Sequence, residues 1–393
     1  MSTGAPPETA RPEAAGRPAA ARRRARRPGG RPLLYTSYAQ DMALLDTRAK
    51  KIWFYGIVLA ALLASQVLVD DMLSLLAMAY VVAIGAIGLN IVTGYAGQVS
   101  LGHAFFLAIG AYTGAAISGD PDGRVLGLGV TSILVWLPAA GLAAALAGVI
   151  VAPLATRLRG LYLAIVTLGL VFLGEHIFKE WDQLTGGPGV GRPAAVVELF
   201  GLRLDRPGPL GSKEQQLYLL MLVLLVVFAV AARNLARSRI GRGFAAIRDR
   251  DIAAEVIGVP LTRYKLLAFA ISSFYAGCAG ALLYTVTGFF DPGSFNLLMS
   301  VQFIAMVLIG GVATISGSIA GALFITLLPR LTRELPALVP VISADTTQTP
   351  NVFQVETVLY GLLIVLFLVF EPRGLFGVWI RVRNYWKSWP FSY

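Results

Sequence analysis

A chain of 393 residues that is 56% hydrophobic, only 14% charged and rich in glycine (42 residues) does not describe one large soluble core, and implies repeated membrane crossings. Its formal net charge of +11 sits beside apolar runs and in one N-terminal stretch rather than on a common face. The implied partner is therefore a lipid bilayer, and no nucleic acid is expected. One cysteine, Cys278, and two histidines exclude an intramolecular disulfide, a cysteine-based metal site and a redox centre, and leave little acid–base chemistry.

Residues 1–50 are rich in Ala, Pro, Gly and Arg, with almost no large aliphatics before Leu33 and five arginines in ARRRARRPGG, and read as a disordered basic cytoplasmic tail. Those arginines lie too far from the first apolar run, at Trp53, for a signal peptide or a twin-arginine signal. Ten apolar runs follow, at roughly 53–69, 73–94, 100–118, 131–153, 161–178, 217–234, 265–287, 299–312, 316–331 and 352–370. With the N-terminus inside, the inner connections hold most of the Lys and Arg and the outer ones most of the Asp and Glu, which selects N-in and C-in. The expected fold is an all-α polytopic membrane protein of about ten transmembrane or partly re-entrant helices. A membrane domain over 51–376 is followed by a basic, aromatic tail over 377–393, RVRNYWKSWPFSY from Arg381, suited to the cytoplasmic membrane interface.

Two glycine-rich interruptions fall between short apolar runs. The first, Gly88 to Ala115, places Asn90, Thr93, Gln98, Ser100 and His103 among Gly94, Gly97 and Gly102; the second, Gly310 to Phe324, contains Gly311 and Ser316. Irregular polar backbone at membrane depth persists only inside protein or beside a wet cavity. Paired interruptions point to a midplane site between two structural halves, so these residues are candidates for a substrate pathway. Helix contacts through small residues account for the same pattern. The outer connection Lys179 to Gln216, with LTGGPGVGRP, is the longest external one, able to cap the membrane mouth and receive an external partner. Glu175 and His176 end the fifth run near the outer headgroups. Otherwise Asp and Glu are nearly absent from the runs, which disfavours an ion-coupled carrier. There is no GxxxxGK[ST] phosphate loop and no HExxH, so an enzyme is not expected.

Between the sixth and seventh runs, Arg239 to Lys265 reads RIGRGFAAIRDRDIAAEVIGVPLTRYK. Gly241 and Gly243 loosen its entry, Gly258 and Pro260 close it, and Thr262 caps the next helix. Phe244 to Ile257 is then a short amphipathic helix, with Arg248, Asp251 and Glu255 on one stripe and Ala246, Ile247, Ala253 and Ile257 on or near the other side, Arg250 excepted. It needs support from its own membrane domain, from lipid or from a partner's groove.

Four stretches in this order, GLNIVTGYAGQVSLGHAFFLAIGAYTGA, RGLYLAIVTLGL, LTGGPGV and GFAAIRDRDIAAEVIGVPLTRYKLLAFAISSFYAGCAGALL, resemble LivM-type permeases of bacterial branched-chain amino acid ABC importers over about Leu73 to Phe376. The resemblance implies a multi-pass inner-membrane permease that pairs with a second homologous permease, sits on two ABC ATPase subunits and takes substrate from an extracytoplasmic binding protein. It implies no cofactor on this chain, with ATP used by the partner subunits. It also implies that the loop helix is a cytoplasmic coupling helix docked on the ATPase. Gly243, Phe244, Ala246, Arg248, Asp249, Ala253, Ala254 and Gly258 match the family's loop, and Asp251 and Glu255 join Arg248 as charged contacts. In one departure the family's acidic residue follows TLGF closely, whereas TLGLVFLGEH sets Glu175 about one turn later. The same architecture moving urea, short amides or another small solute, and a stand-alone carrier or channel, are the alternatives.

Overall fold

The computed structural model describes residues 48–158, 160–208, 211–333, 352–371 and 373–388. The expected N-terminal tail lies outside the described residues, apart from its last three, which open α1 (Arg48–Val67). There follow α2 (Asp70–Asn90), which runs on as a π-helical turn over Ile91–Tyr95, α3 (His103–Ser118), α4 (Ile133–Arg157), α5 (Leu161–Glu180) and the one-turn α6 (Asp182–Thr185). The connection that follows carries β1 (Arg192–Pro193), β2 (Glu198–Leu199) and β3 (Leu202–Arg203). After it come α7 (Lys213–Arg237), α8 (Arg239–Asp249), α9 (Asp251–Val256), α10 (Leu261–Leu283), β4 (Phe289–Phe290), a 3₁₀ turn at Pro292–Ser294, α11 (Leu297–Gly310), α12 (Ile315–Arg333), α13 (Val352–Phe370) and α14 (Gly374–Ser388).

Each of the ten apolar runs lies in a helix, because a continuous apolar stretch in lipid must satisfy its backbone internally. Among the described residues, six stretches are long and apolar enough to cross a membrane: Asp70–Tyr95, Ile133–Arg157, Leu161–Glu180, Lys213–Arg237, Leu261–Leu283 and Pro292–Gly310. Among the same described residues, four apolar helices are shorter, at Phe54–Val67, His103–Ser118, Ile315–Arg330 and Thr357–Phe367. Burial ranks them. The apolar window of α2 is 83% buried and that of α10 is 72% buried, against 22% for α7, so α2 and α10 form the centre and α7 keeps one apolar side outward.

Small residues let the centre close. A Cβ on Gly110 of α3 would collide with the Gly277 carbonyl of α10, one on Gly280 of α10 with the Leu107 carbonyl of α3, and one on Gly277 would lie 2.5 Å from Ala144 Cβ of α4. The backbones of α3 and α10 therefore touch almost directly, with α4 seated on the same stripe. Cys278 is buried there, 1% exposed, with Sγ directed at the Leu137 carbonyl, as a small packing residue. On the other flank, α2 meets α7 through Tyr80 and Tyr218, whose hydroxyls lie 3.1 Å apart, while Tyr218 Oη also donates to the Ala61 carbonyl of α1. The C-terminal segment is helical through Ser388, as α14.

Candidate translocation site and coupling surface

The first interruption begins where α2 widens into the π-helical turn at Ile91–Tyr95, a form found where an extra residue must be accommodated. The backbone closes on itself: Ala96 N–H donates to the Ile91 carbonyl and Gln98 N–H to the Val92 carbonyl. It is then pinned from neighbouring helices, with Leu101 N–H donating to Thr167 Oγ1 of α5 (2.9 Å) and Ala104 N–H to Ser300 Oγ of α11 (3.0 Å). Ser300 thus supplies an acceptor to the first turn of α3, which lacks a capping side chain of its own.

The second interruption is a tight turn between α11 and α12, with Gly311 at φ +126° and Ala313 at φ +58°. Asn90 holds it. Its Nδ2 donates to the Thr314 carbonyl (3.0 Å) and to Ser318 Oγ (2.6 Å), and its Oδ1 accepts from Ala313 N–H (2.8 Å). Asn90 is 1% exposed and Ser318 fully buried, so one amide joins the two interruptions in a region where unpaired polar groups are expensive.

The other pathway candidates scatter around this point. Gly311 is buried in the same turn, whereas Ser316 faces outward and stays apart. Gln98 folds back onto the Ala96 carbonyl and Ser100 Oγ accepts from Gly102 N–H. His103 packs on Phe303 with ring centroids 4.8 Å apart. Thr93 Oγ1 and His103 Nε2 are buried and have no hydrogen-bond partner among the described residues. Reading the sequence missed Thr167, Ser300, Thr314 and Ser318. The one signal available was that Thr314 and Ser318, four residues apart, share a helix face turned from Ser316.

The charged loop forms two helices, not the single Phe244–Ile257 helix expected. Ser238 caps α8, accepting from Ile240 and Gly241 N–H. Arg250 is extended (φ −157°, ψ 103°) and α9 starts at Asp251, whose Oδ1 accepts from Ile252 N–H at 2.8 Å. The RDRD run breaks the helix because an aspartate carboxylate binds nearby backbone N–H groups and opens a new helix in preference to continuing an old one. Gly241 and Gly243 lie inside α8; far from loosening its entry, Gly243 gives room to the Tyr264 ring. Gly258 takes φ +89° at the close, as expected, but Thr262 does not cap α10, whose N-cap position is Pro260.

This split divides the expected interface. Gly243, Phe244 and Ala254 are buried within the chain itself; Phe244 is 1% exposed, edge-on to Tyr264 at 6.1 Å and lodged among Ile91, Tyr95, Ala232 and Leu235. Ala246 and Asp251 are half-buried, and Arg248, Asp249, Ala253, Glu255 and Gly258 are exposed. Arg248 no longer shares a stripe with Asp251 and Glu255. Its Nη1 donates to the Gly94 carbonyl (3.2 Å) and its Nη2 pairs with Asp249 (3.1 Å), while a Cβ on Gly97 would lie 2.8 Å from Arg248 Cγ. The loop is thereby fastened to the first interruption. Its outward face carries Ile252 (67% exposed), Val256 (82%) and Ile257 (75%), an apolar patch that the charged-stripe reading overlooked.

The connection between α5 and α7 is anchored by Arg192. This residue is 1% exposed; its Nη1 donates to the Leu184 carbonyl (2.6 Å) and its Nη2 to the Ala115 and Leu126 carbonyls (2.7 and 3.1 Å). A cation on the last carbonyls of α3 complements the helix dipole. Burial pulls its pKa down to about 10, opposed by the nearby Tyr112 hydroxyl, and it remains charged at neutral pH. Pairing of β1 with β4 sets Arg192 opposite Phe290, above a cluster in which Tyr112 stacks on Phe178 at 4.7 Å. Glu175 forms an i, i+4 ion pair with Lys179 at 2.7 Å. Among the described residues no three His, Cys, Asp or Glu side chains gather to hold a metal ion.

Comparison with known proteins bears on this arrangement. Residues 72–370 match the family described as the permease component of the branched-chain amino acid transport system. The chain is 33% identical over 316 residues to the high-affinity branched-chain amino acid transport system permease protein LivM of Escherichia coli K12, covering 76% of this chain and 68% of the relative. The LivM protein of Salmonella typhimurium LT2 is likewise 33% identical, over 305 residues, 74% of this chain and 66% of that one. The autoinducer 2 import system permease protein LsrC of Enterobacter sp. strain 638 is 31% identical over 169 residues, 41% of this chain and 45% of its own. The chain thus spans about two thirds of the two LivM proteins, and no solved structure gives a match. Because the family match runs from the start of α2 to the end of α13, taking in both interruptions and the α8–α9 loop, the chain belongs to the branched-chain amino acid permease family.

Proposed function

We propose that this chain is the membrane-spanning permease subunit of an ATP-driven importer of branched-chain, hydrophobic amino acids. In this reading about ten helices cross or partly enter the bacterial inner membrane with both termini in the cytoplasm. The α8–α9 loop faces the cytoplasm, and Asp249, Ala253, Glu255 and Gly258, with Ile252, Val256 and Ile257, dock on an ATPase subunit. Two such subunits hydrolyse ATP, a second homologous permease completes the pathway, and a binding protein delivers substrate to the outer connection around Arg192.

The observation that carries the reading is that Arg248, near the end of α8, donates to the Gly94 carbonyl of the π-helical turn, four residues along the chain from Asn90, whose side chain holds the α11–α12 turn. A push on the loop is delivered to both interruptions, which is what a transporter driven by another chain's ATP requires. The test is purification of the assembly from native membranes in mild detergent. Two ATPase chains and a second permease should co-purify, and replacing Ile252 and Val256 by Asp, both exposed, should release the ATPase while leaving this chain folded. Transport by this chain alone in liposomes would overturn the reading in favour of a carrier. The LsrC match and the uncharged polar groups at Asn90, Thr93, Gln98, Ser100 and His103 favour, as a second reading of cargo, another small polar solute. The ligand retained by the co-purified binding protein decides between them.

A further inference from the structure

The end of the chain is organised beyond what a tail requires. Along α14, Val378, Trp379, Val382, Tyr385 and Trp386 fall within one sector of about 120° at helical spacing. All five are exposed, Trp379 by 53% and Trp386 by 72%. Arg381 and Arg383 stand at the two edges of that sector, both exposed, while Phe376, Gly377 and Ile380 on the far side are buried or half-buried against the protein. An aromatic apolar sector bordered on both edges by cations is the pattern of a helix lying in a bilayer interface. Its place in the chain agrees, since α14 starts four residues after the end of the apolar α13.

Two contacts connect this surface to the rest of the molecule. Arg381 pairs with Glu371 at 2.6 Å; the arginine side chain is 72% exposed and the carboxylate 11%. The first turn of α14 is seated backbone to backbone on the second interruption: a Cβ on Gly374 would lie 2.5 Å from the Ile309 carbonyl and 2.7 Å from Gly311 N, and one on Gly311 would lie 2.8 Å from the Arg373 carbonyl. With no side chain between them, a shift of α14 is transmitted to the α11–α12 turn.

We propose that α14 is a sensor of anionic phospholipid. Its aromatic sector enters the interface, Arg381 and Arg383 take phosphate-bearing headgroups through charge-assisted hydrogen bonds, and headgroup occupancy biases the turn that Asn90 holds. Glu371 is the internal competitor, engaging Arg381 where the surrounding headgroups are zwitterionic. Entry of the aromatic sector into the interface needs only that α13 enters the bilayer, whereas its effect on ATP hydrolysis rests on the function proposed above.

The test uses the purified full assembly in nanodiscs of phosphatidylcholine, with increasing fractions of phosphatidylglycerol. Brominated acyl chains should quench the tryptophan emission that is lost in a Trp379→Phe, Trp386→Phe variant, and more strongly as phosphatidylglycerol rises. Each arginine at an anionic surface strengthens binding about five-fold, so Arg383→Gln should raise by about that factor the phosphatidylglycerol fraction giving half-maximal substrate-stimulated ATPase activity. Glu371→Gln should lower it. Unchanged lipid dependence in Arg383→Gln, or tryptophans unquenched and instead shielded by another subunit, would overturn the proposal. Loss of ATPase partners with quenching preserved would count against the proposed function alone.

Discussion

The two glycine-rich interruptions read alike in the sequence and are built differently. The first widens into a π-helical turn and closes its own backbone hydrogen bonds between Ile91 and Gln98. The second turns sharply through Gly311 and Ala313 at positive φ, and depends on the Asn90 side chain for a donor and an acceptor. Dependence therefore runs mainly one way. A self-closed segment can shift as a unit and carry its geometry with it, whereas a turn held by another segment's side chain follows wherever that side chain goes.

Asn90→Ala breaks this dependence most severely. It leaves the Ala313 N–H without its acceptor and removes a donor from Thr314 and Ser318 inside the protein, at about 1–3 kcal/mol for each buried group left unpaired. Thermal unfolding of the purified assembly should fall by several degrees and transport should be lost; a variant as stable as the parent would show that the second turn stands by itself. Gly311→Ala comes next, because φ +126° excludes a side chain and the Arg373 carbonyl obstructs it, a strain of about 1–3 kcal/mol. Gly97→Ala is milder, since φ +68° is open to other residues at about 1–2 kcal/mol. Its new methyl presses on Arg248, so activity should fall further than stability, measured as substrate-stimulated ATPase against melting temperature. Arg248→Gln is the smallest change in stability, about 1 kcal/mol or less, because the Asp249 pair is exposed and one hydrogen bond is lost. It sharpens the comparison: stimulation by substrate should drop several-fold while basal ATP hydrolysis persists, and full stimulation would show that the loop does not act through Gly94.

Local signals explain what was legible beforehand. The apolar runs located the helices because lipid-facing and core-facing residues alike must be apolar, and Gly258 before Pro260 marked the end of α9 because left-handed backbone suits glycine. The interruptions were visible as polar residues among glycines. Their union was not: Asn90 and Thr314 are 224 positions apart, and no periodicity records which distant groups an amide will meet. Nothing local in LTGGPGVGRP reveals that three backbone carbonyls converge on Arg192. The division of the charged loop at Arg250 was written in RDRD, but the amphipathic pattern, which continues on both sides of Arg250, outweighed the local preference of aspartate.

The glycine-on-carbonyl packing of α3 and α10, with α4 beside them, has a mechanical meaning. Interfaces lined by long side chains tolerate small rotations because those side chains change rotamer, whereas Gly110, Gly277 and Gly280 leave no such slack. These three helices should therefore move as one body. Whatever cycle the permease undergoes, displacement must be taken up where contacts are made by side chains, at Tyr80 and Tyr218 between α2 and α7 and at the amide of Asn90. A disulfide placed across α3 and α10 should therefore leave transport running, and the same lock across α2 and α7 should stop it.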